Sequence, residues 1–105
     1  MRLKKLYPLI IFLILSLILF SCKEREEYDG LEIHCINVGQ GDCTLIIAPN
    51  GNCLLVDGGE AGSGKELSVP YIRSLGVDSI QYAIGTHFHS DHMGAIHEIM
   101  DKIPI

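Results

Sequence analysis

Four side chains that commonly bind metal ions lie within six consecutive positions of the 105-residue sequence: His87, His89, Asp91 and His92. Residues two apart in an extended segment project to the same side, so His87 and His89 can reach one metal ion. Asp91 and His92 follow, where the chain is predicted to turn into a helix, and can face a second ion. The alternative is a solvated polar loop in which histidines gather by chance, and the HxHxDH order argues against it.

The mixed imidazole and carboxylate set suits zinc, and it also suits iron or manganese. The two other histidines are weaker candidates. His34 is a single residue in a predicted strand, and His97 follows His92 by five positions, off its helical face.

Strands and helices in an α+β order must position this motif. Asn50-Gly51 is a strong hairpin signal between two apolar runs. Ser68 is a predicted N-cap and Gly76 a predicted C-terminal glycine. The predicted strands are 31–38, 43–48, 53–56 and 79–84, and the predicted helices are 69–75 and 93–102. This order indicates an α+β or layered α/β/α architecture.

The N-terminal region has the pattern of an export signal. A fifteen-residue uncharged run, 6–20, follows Arg2, Lys4 and Lys5. The run ends at Leu19-Phe20-Ser21-Cys22, which resembles the lipobox of bacterial lipoproteins and implies lipidation of Cys22. We therefore predict a signal peptide over 1–21, a charged tether over 22–29 and a folded part over 30–105. An uncleaved transmembrane anchor is the alternative, although a span needs roughly 20 apolar residues.

Charge and composition exclude several classes of protein. The chain has 8 basic and 13 acidic residues, a net charge of −5. Without the three basic residues of the predicted signal, 5 basic and 13 acidic residues remain, and the net charge is −8. Such an acidic chain is a poor candidate for broad nucleic-acid binding, and one short apolar run excludes a polytopic membrane protein.

We expect a lipid-anchored protein of the bacterial cell envelope, outside the cytoplasmic membrane. The disulfide state of Cys35, Cys43 and Cys53 stays open.

The segment Thr86–His92 resembles the signature of the metallo-β-lactamase superfamily of metal-dependent hydrolases. The segments 36–42 (INVGQGD) and 55–59 (LVDGG) look like the branch that contains the C-terminal domain of the competence protein ComEC. The resemblance covers residues 31–97. It implies that residues 30–105 are the N-terminal half of a layered αββα sandwich.

The same resemblance implies roles for individual residues. His87 and His89 would bind the first metal ion, and Asp91 and His92 the second. Asp57 looks like the aspartate that supports the site in this family, and Asp91 could also handle a proton, so both are candidate catalytic residues. The implied cofactor is zinc, as two ions in a complete domain, with iron or manganese as alternatives. The implied chemistry is attack of an activated water on a carbonyl or phosphoryl centre.

The substrate and the completeness of the site stay open at this point. Phosphodiester or nucleic-acid hydrolysis is one substrate class, and lactam or thioester hydrolysis of a small molecule is less favoured. The family's third histidine, bridging aspartate and last histidine are expected from a second half of the fold. We therefore expect residues 1–105 to be a truncated N-terminal fragment that is inactive alone. The alternatives are a non-catalytic lipoprotein remnant and a metal-binding or metal-sensing envelope protein.

Overall fold

The computed structural model describes residues 7–19 and 29–105 of the chain. Within these residues, one helix precedes a small sheet with short helices around it. In chain order the elements are α1 (Tyr7–Leu19), β1 (Glu32–Cys35), β2 (Thr44–Ile47), β3 (Cys53–Val56), a π-helical segment (Gly64–Ser68), α2 (Val69–Ser74), β4 (Tyr82–Ile84), α3 (Ser90–Met93) and α4 (Ile96–Met100).

Helix α1 lies inside the predicted signal peptide and has 13 residues with no charged side chain. In the described ranges, no helix is both long enough and apolar enough to cross a membrane. Cys22 lies outside the described residues, as does the tether except for Asp29. Signal cleavage, lipidation and the boundary at residue 30 therefore stay predictions.

The four strands form one sheet in the order β1-β2-β3-β4. The first three pair antiparallel, and β4 joins β3 in parallel, with Val56 opposite Ile84. The predicted hairpin is confirmed. Gly51 takes a φ of 84°, and its N–H donates to the Ala48 carbonyl at 2.8 Å. Asn50 Oδ1 accepts from the Asn52 N–H at 3.0 Å, which closes the turn.

The hydrophobic core covers one face of this sheet. Leu45 and Leu55 are fully buried, and they belong to one cluster with Ile72 of α2 and Ile99 of α4. Alternate residues of β2 and β3 point into this cluster, as the two-residue period of a strand requires. The α+β class predicted from the sequence is thereby confirmed.

The opposite face of the sheet is apolar and open among the described residues. The strand register places Ile33, Ile46, Leu54 and Tyr82 in one row across all four strands. Ile33 at one end of the row is 61% exposed and Tyr82 at the other end is 68% exposed. We call these four residues the open row.

Two helix boundaries differ from the prediction. Ser68 is not an N-cap, because it has helical φ and ψ angles, is buried, and lies 3.6 Å from Cys43 Sγ through its hydroxyl oxygen. The helical path already begins with the π-helical segment at Gly64. The predicted helix 93–102 is instead two short helices, since the chain breaks at Ala95, whose N–H donates to the Gly59 carbonyl at 3.0 Å.

Candidate metal centre

The motif loop, residues 85–92, runs from the end of β4 through the first residues of α3. The strand ends at Ile84, His89 has extended backbone angles, and the helix begins at Ser90. His87 and His89 therefore lie before the helix, while Asp91 and His92 lie in its first turn. The sequence predicted this change from strand to helix around the motif, although it placed the start of the helix at Met93.

The three imidazole rings of the motif lie close together. The ring centroid of His87 is 4.8 Å from that of His89 and 4.0 Å from that of His92. His87 and His89 are exposed, whereas Asp91 and His92 are half-buried. The loop therefore presents its donor atoms near one another at the surface of the described part of the chain.

Asp57 supports the motif loop from below. It follows β3 directly, takes a left-handed φ of 59°, and is only 3% exposed. Its Oδ1 accepts from the Thr86 N–H at 2.8 Å, and its Oδ2 accepts from the Thr86 hydroxyl at 2.7 Å and from His92 Nδ1 at 3.0 Å. Burial opposes ionisation of this carboxyl. The hydrogen bonds from Thr86 and His92 outweigh it and lower the pKa of Asp57.

Parallel pairing of β3 and β4 makes this support possible. Both strands end at the same edge of the sheet, and the Asp57 N–H continues the ladder by donating to the Ile84 carbonyl at 2.8 Å. Asp57 and Thr86 thereby meet although they are 29 positions apart in the sequence. Because both Asp57 oxygens are bonded to the loop, Asp57 acts as a positioning residue.

Three carboxylates surround the His92 ring. Its Nδ1 lies 3.0 Å from Asp57 Oδ2 and 3.5 Å from Asp42 Oδ2, and its Nε2 lies 3.8 Å from Asp91 Oδ2. The hydrogen bond to Asp57, followed by the charges of Asp91, Asp57 and Asp42, raises the pKa of His92. The acceptor on Nδ1 leaves the lone pair of the neutral ring on Nε2, which lies toward Asp91, and this is the arrangement of a metal-binding histidine.

The glycine turn, residues 39–42 between β1 and β2, packs directly on this site. The Asp42 N–H donates to the Asp91 carbonyl at 3.2 Å. Gly41 has a φ of 101°, and a Cβ at this position would overlap the same carbonyl oxygen. This contact was not predicted from the sequence, although the VGQGD segment was the signal that could have indicated it.

Glu98 holds the loop that follows Asp57. Its Oε1 accepts from the Gly62 N–H at 2.6 Å and its Oε2 from the Lys65 N–H at 3.1 Å. These two backbone hydrogen bonds, with smaller contributions from His97 and Lys65, lower the pKa of Glu98. Glu98 thus satisfies backbone N–H groups where the helical path begins. This is the N-capping role that was predicted for Ser68.

The remaining candidates have other partners. His34 contacts the Tyr71 hydroxyl at 3.1 Å and Glu32 at 2.9 Å, both away from the motif loop in sequence. Among the described cysteines, Cys35 and Cys43 are free thiols, and the Cys53 thiol donates to the Gly51 carbonyl at 3.5 Å. Burial raises the pKa of the Cys43 thiol, which keeps it protonated.

The residues present fit part of a metal site. Nδ1 of His87 is hydrogen-bonded to Thr86, and Nδ1 of His92 is hydrogen-bonded to Asp57. Nε2 of each ring therefore has the lone pair that could bind a metal ion. Over residues 7–19 and 29–105, no group of three or more His, Cys, Asp or Glu side chains that could hold a metal ion is found. The motif loop thus brings three imidazole rings near one another, but it does not arrange three of these side chains as a metal site.

Comparison with known proteins identifies the family of the chain. A family model described as the metallo-beta-lactamase superfamily matches residues 36–105. Searches of curated proteins and of solved structures found no match. The matched range contains the glycine turn, Asp57, the motif loop and Glu98.

Proposed function

We propose that this chain, which belongs to the metallo-beta-lactamase superfamily, carries the first part of the active site of a metal-dependent hydrolase. One observation carries the proposal. The buried carboxylate of Asp57 holds Thr86 and His92, so that three imidazoles and Asp91 lie together at the end of β4. Two of these rings, His87 and His92, have Nδ1 already bonded, which is typical of positioned metal ligands.

In this proposal His87 and His89 hold one metal ion, and Asp91 and His92 hold a second one. Zinc is the ion that the family and the donor types favour, and iron or manganese suit the same donors. A bound ion would supply a Lewis acid that lowers the pKa of water and stabilises negative charge developing on the substrate.

The chain's own residues then have separate tasks. Asp57 orients the His92 ring and is too buried to touch a substrate. Asp91 is half-buried at the surface of the loop, where its carboxylate can hold or move a proton. The backbone of Asp42 holds the carbonyl of Asp91, and therefore the first turn of α3, in place.

A phosphodiester is the substrate class that we favour. The resemblance of residues 36–42 to the ComEC-like branch supports it, and this segment packs against Asp91 in the folded chain. The negative charge of the chain opposes broad nucleic-acid binding, so recognition would rest on the metal centre itself.

We infer that residues 30–105 form the N-terminal part of an αββα sandwich, and that a second sheet of the complete domain covers the open row. The exposure of Ile33 and Tyr82 supports this, because contiguous apolar surface on a sheet normally marks a covered face. The missing metal ligands would come from that second part.

The N-terminal pattern supports a place for the protein in the bacterial cell envelope. In this proposal residues 1–21 direct export, Cys22 is lipidated, and residues 22–29 tether the domain outside the cytoplasmic membrane. Mass spectrometry of Cys22 in the membrane fraction tests this part: an unmodified Cys22 and an uncleaved signal would contradict it.

The deciding experiment compares wild-type and His87→Ala forms of the full-length protein. We expect about two zinc ions per wild-type chain and hydrolysis of a generic phosphodiester. His87→Ala should lose zinc, and its activity should fall by more than the roughly 10- to 100-fold that loss of an outer-shell partner typically costs, because a ligand itself is removed. His97→Ala is the matched control, since His97 is exposed on α4. Unchanged activity in His87→Ala would contradict the proposal, and one weakly bound ion without hydrolysis would favour a metal-binding envelope protein.

A further inference from the structure

A continuous chain of hydrogen bonds joins two rings of the motif loop through Thr86 and Asp57. His87 Nδ1 lies 2.9 Å from Thr86 Oγ1, and Thr86 Oγ1 lies 2.7 Å from Asp57 Oδ2. The same Oδ2 atom lies 3.0 Å from His92 Nδ1. One oxygen atom is therefore shared between the supports of two histidines.

The direction of each hydrogen bond in this chain follows from the number of available protons. An ionised carboxylate only accepts, so the single hydroxyl proton of Thr86 is donated to Asp57. The Thr86 oxygen can then only accept from His87, which places a proton on His87 Nδ1. His92 likewise donates its Nδ1 proton to Asp57. Each neutral ring is thereby held in the tautomer that has its proton on Nδ1 and its metal-binding lone pair on Nε2.

Other groups near the two rings do not change this assignment. Asp42 Oδ2 is 3.5 Å from His92 Nδ1, and Asp91 Oδ2 is 3.8 Å from His92 Nε2; both distances are longer than an ordinary hydrogen bond. The Thr86 N–H is bonded to Asp57 Oδ1, so the backbone holds Thr86 in place independently of its hydroxyl. The hydroxyl oxygen can thus accept from the His87 ring while its proton is donated to Asp57.

We propose that Thr86 is a positioning residue. Its hydroxyl holds His87 in the tautomer that binds metal through Nε2, and it couples His87 to His92 through Asp57. This inference rests on the proposed function, because it concerns histidines proposed there as metal ligands. It adds that the two halves of the ligand set are not independent: a change at Thr86 should reach both rings.

The test titrates the full-length protein with zinc alone, using a competing chelator, and compares Thr86→Val with Thr86→Ser. Loss of a support of this kind typically weakens metal affinity about 10- to 100-fold, so we expect a loss in that range for Thr86→Val. Thr86→Ser keeps the hydroxyl and should bind zinc within about threefold of wild type. Thr44→Val is the matched control, because Thr44 lies in β2 and pairs with Val56 instead of the motif loop.

A second measurement reads the tautomers in the metal-free protein by nitrogen-resolved NMR of the imidazole rings at alkaline pH. Wild type and Thr86→Ser should show His87 with its proton on Nδ1, and Thr86→Val should show a mixture. The inference is overturned if Thr86→Val leaves the His87 tautomer unchanged, or if Thr86→Ser binds zinc as weakly as Thr86→Val. If wild type binds no zinc, the proposed function fails, while the tautomer measurement still decides this inference.

Discussion

The core face of the sheet and the motif loop are held in place by different forces. On the core face, Leu45 and Leu55 are fully buried and pack against Ile72 and Ile99. In contrast, all residues from 81 to 90 are exposed, so packing does little to fix the loop. It is positioned by hydrogen bonds that converge on Asp57, the buried carboxylate beneath it.

This difference separates stability from function. Burial of apolar surface is non-directional and contributes in proportion to area, so it stabilises the sheet without specifying the direction of any one side chain. Hydrogen bonds are individually modest but directional, so they orient the rings of His87 and His92. Substitutions in the two regions should therefore give different signatures, and these signatures can break or sharpen the comparison.

The largest effect is expected for Leu55→Ala on the core face. Leu55 is 0% exposed, and truncation of such a side chain leaves a cavity. The free energy of unfolding should fall by about 2–5 kcal/mol. Chemical denaturation of the full-length protein measures this loss. Zinc affinity measured under conditions where the variant stays folded should remain close to wild type. A large loss of affinity there would break the separation between core and loop.

An intermediate effect is expected for Gly41→Ala. Gly39→Ala is the control, because both glycines have a positive φ but only a Cβ at Gly41 would overlap the Asp91 carbonyl. Overpacking typically costs about 1–3 kcal/mol, so Gly41→Ala should lose that much more unfolding free energy than Gly39→Ala. It should also weaken zinc binding, since Asp91 must move. Equal losses in the two variants would show that the glycine turn does not position the site.

The smallest effect is expected for Glu98→Gln, and it depends on pH. The pKa of Glu98 is lowered in the folded chain by the N–H groups of Gly62 and Lys65. Its stabilising contribution is therefore present above the unfolded-state pKa, about 4.3, and is lost as pH falls through the lower folded-state pKa.

The matched control for this pH dependence is Glu66→Gln, an exposed glutamate in the π-helical segment. Unfolding midpoints measured from neutral to acidic pH should fall less steeply for Glu98→Gln than for wild type. Glu66→Gln should follow the wild-type curve. If Glu98→Gln follows it too, the hydrogen bonds of Glu98 do not stabilise the loop after Asp57.

Local features of the fold were predictable from the sequence. The hairpin at Asn50-Gly51 and the strand 53–56 agree with the structure, because turn chemistry and alternation act over a few residues. Ser68 was misplaced as an N-cap because the groups at the start of this helical path bond to Glu98 instead, 36 positions after Gly62. A partner at that separation has no signature in the local sequence.

The amino-acid sequence by itself determined which atoms are available for chemistry: three imidazoles and a carboxylate in one short loop, with Asp57 as a candidate support. Tertiary structure decided how they are oriented. The parallel pairing of β3 and β4 brings Asp57 under Thr86 and His92, and the glycine turn brings Asp42 to Asp91. The physical reason is that residue types follow from the chain alone. Hydrogen-bond directions, in contrast, depend on partners that only folding brings within 3 Å or so of each other.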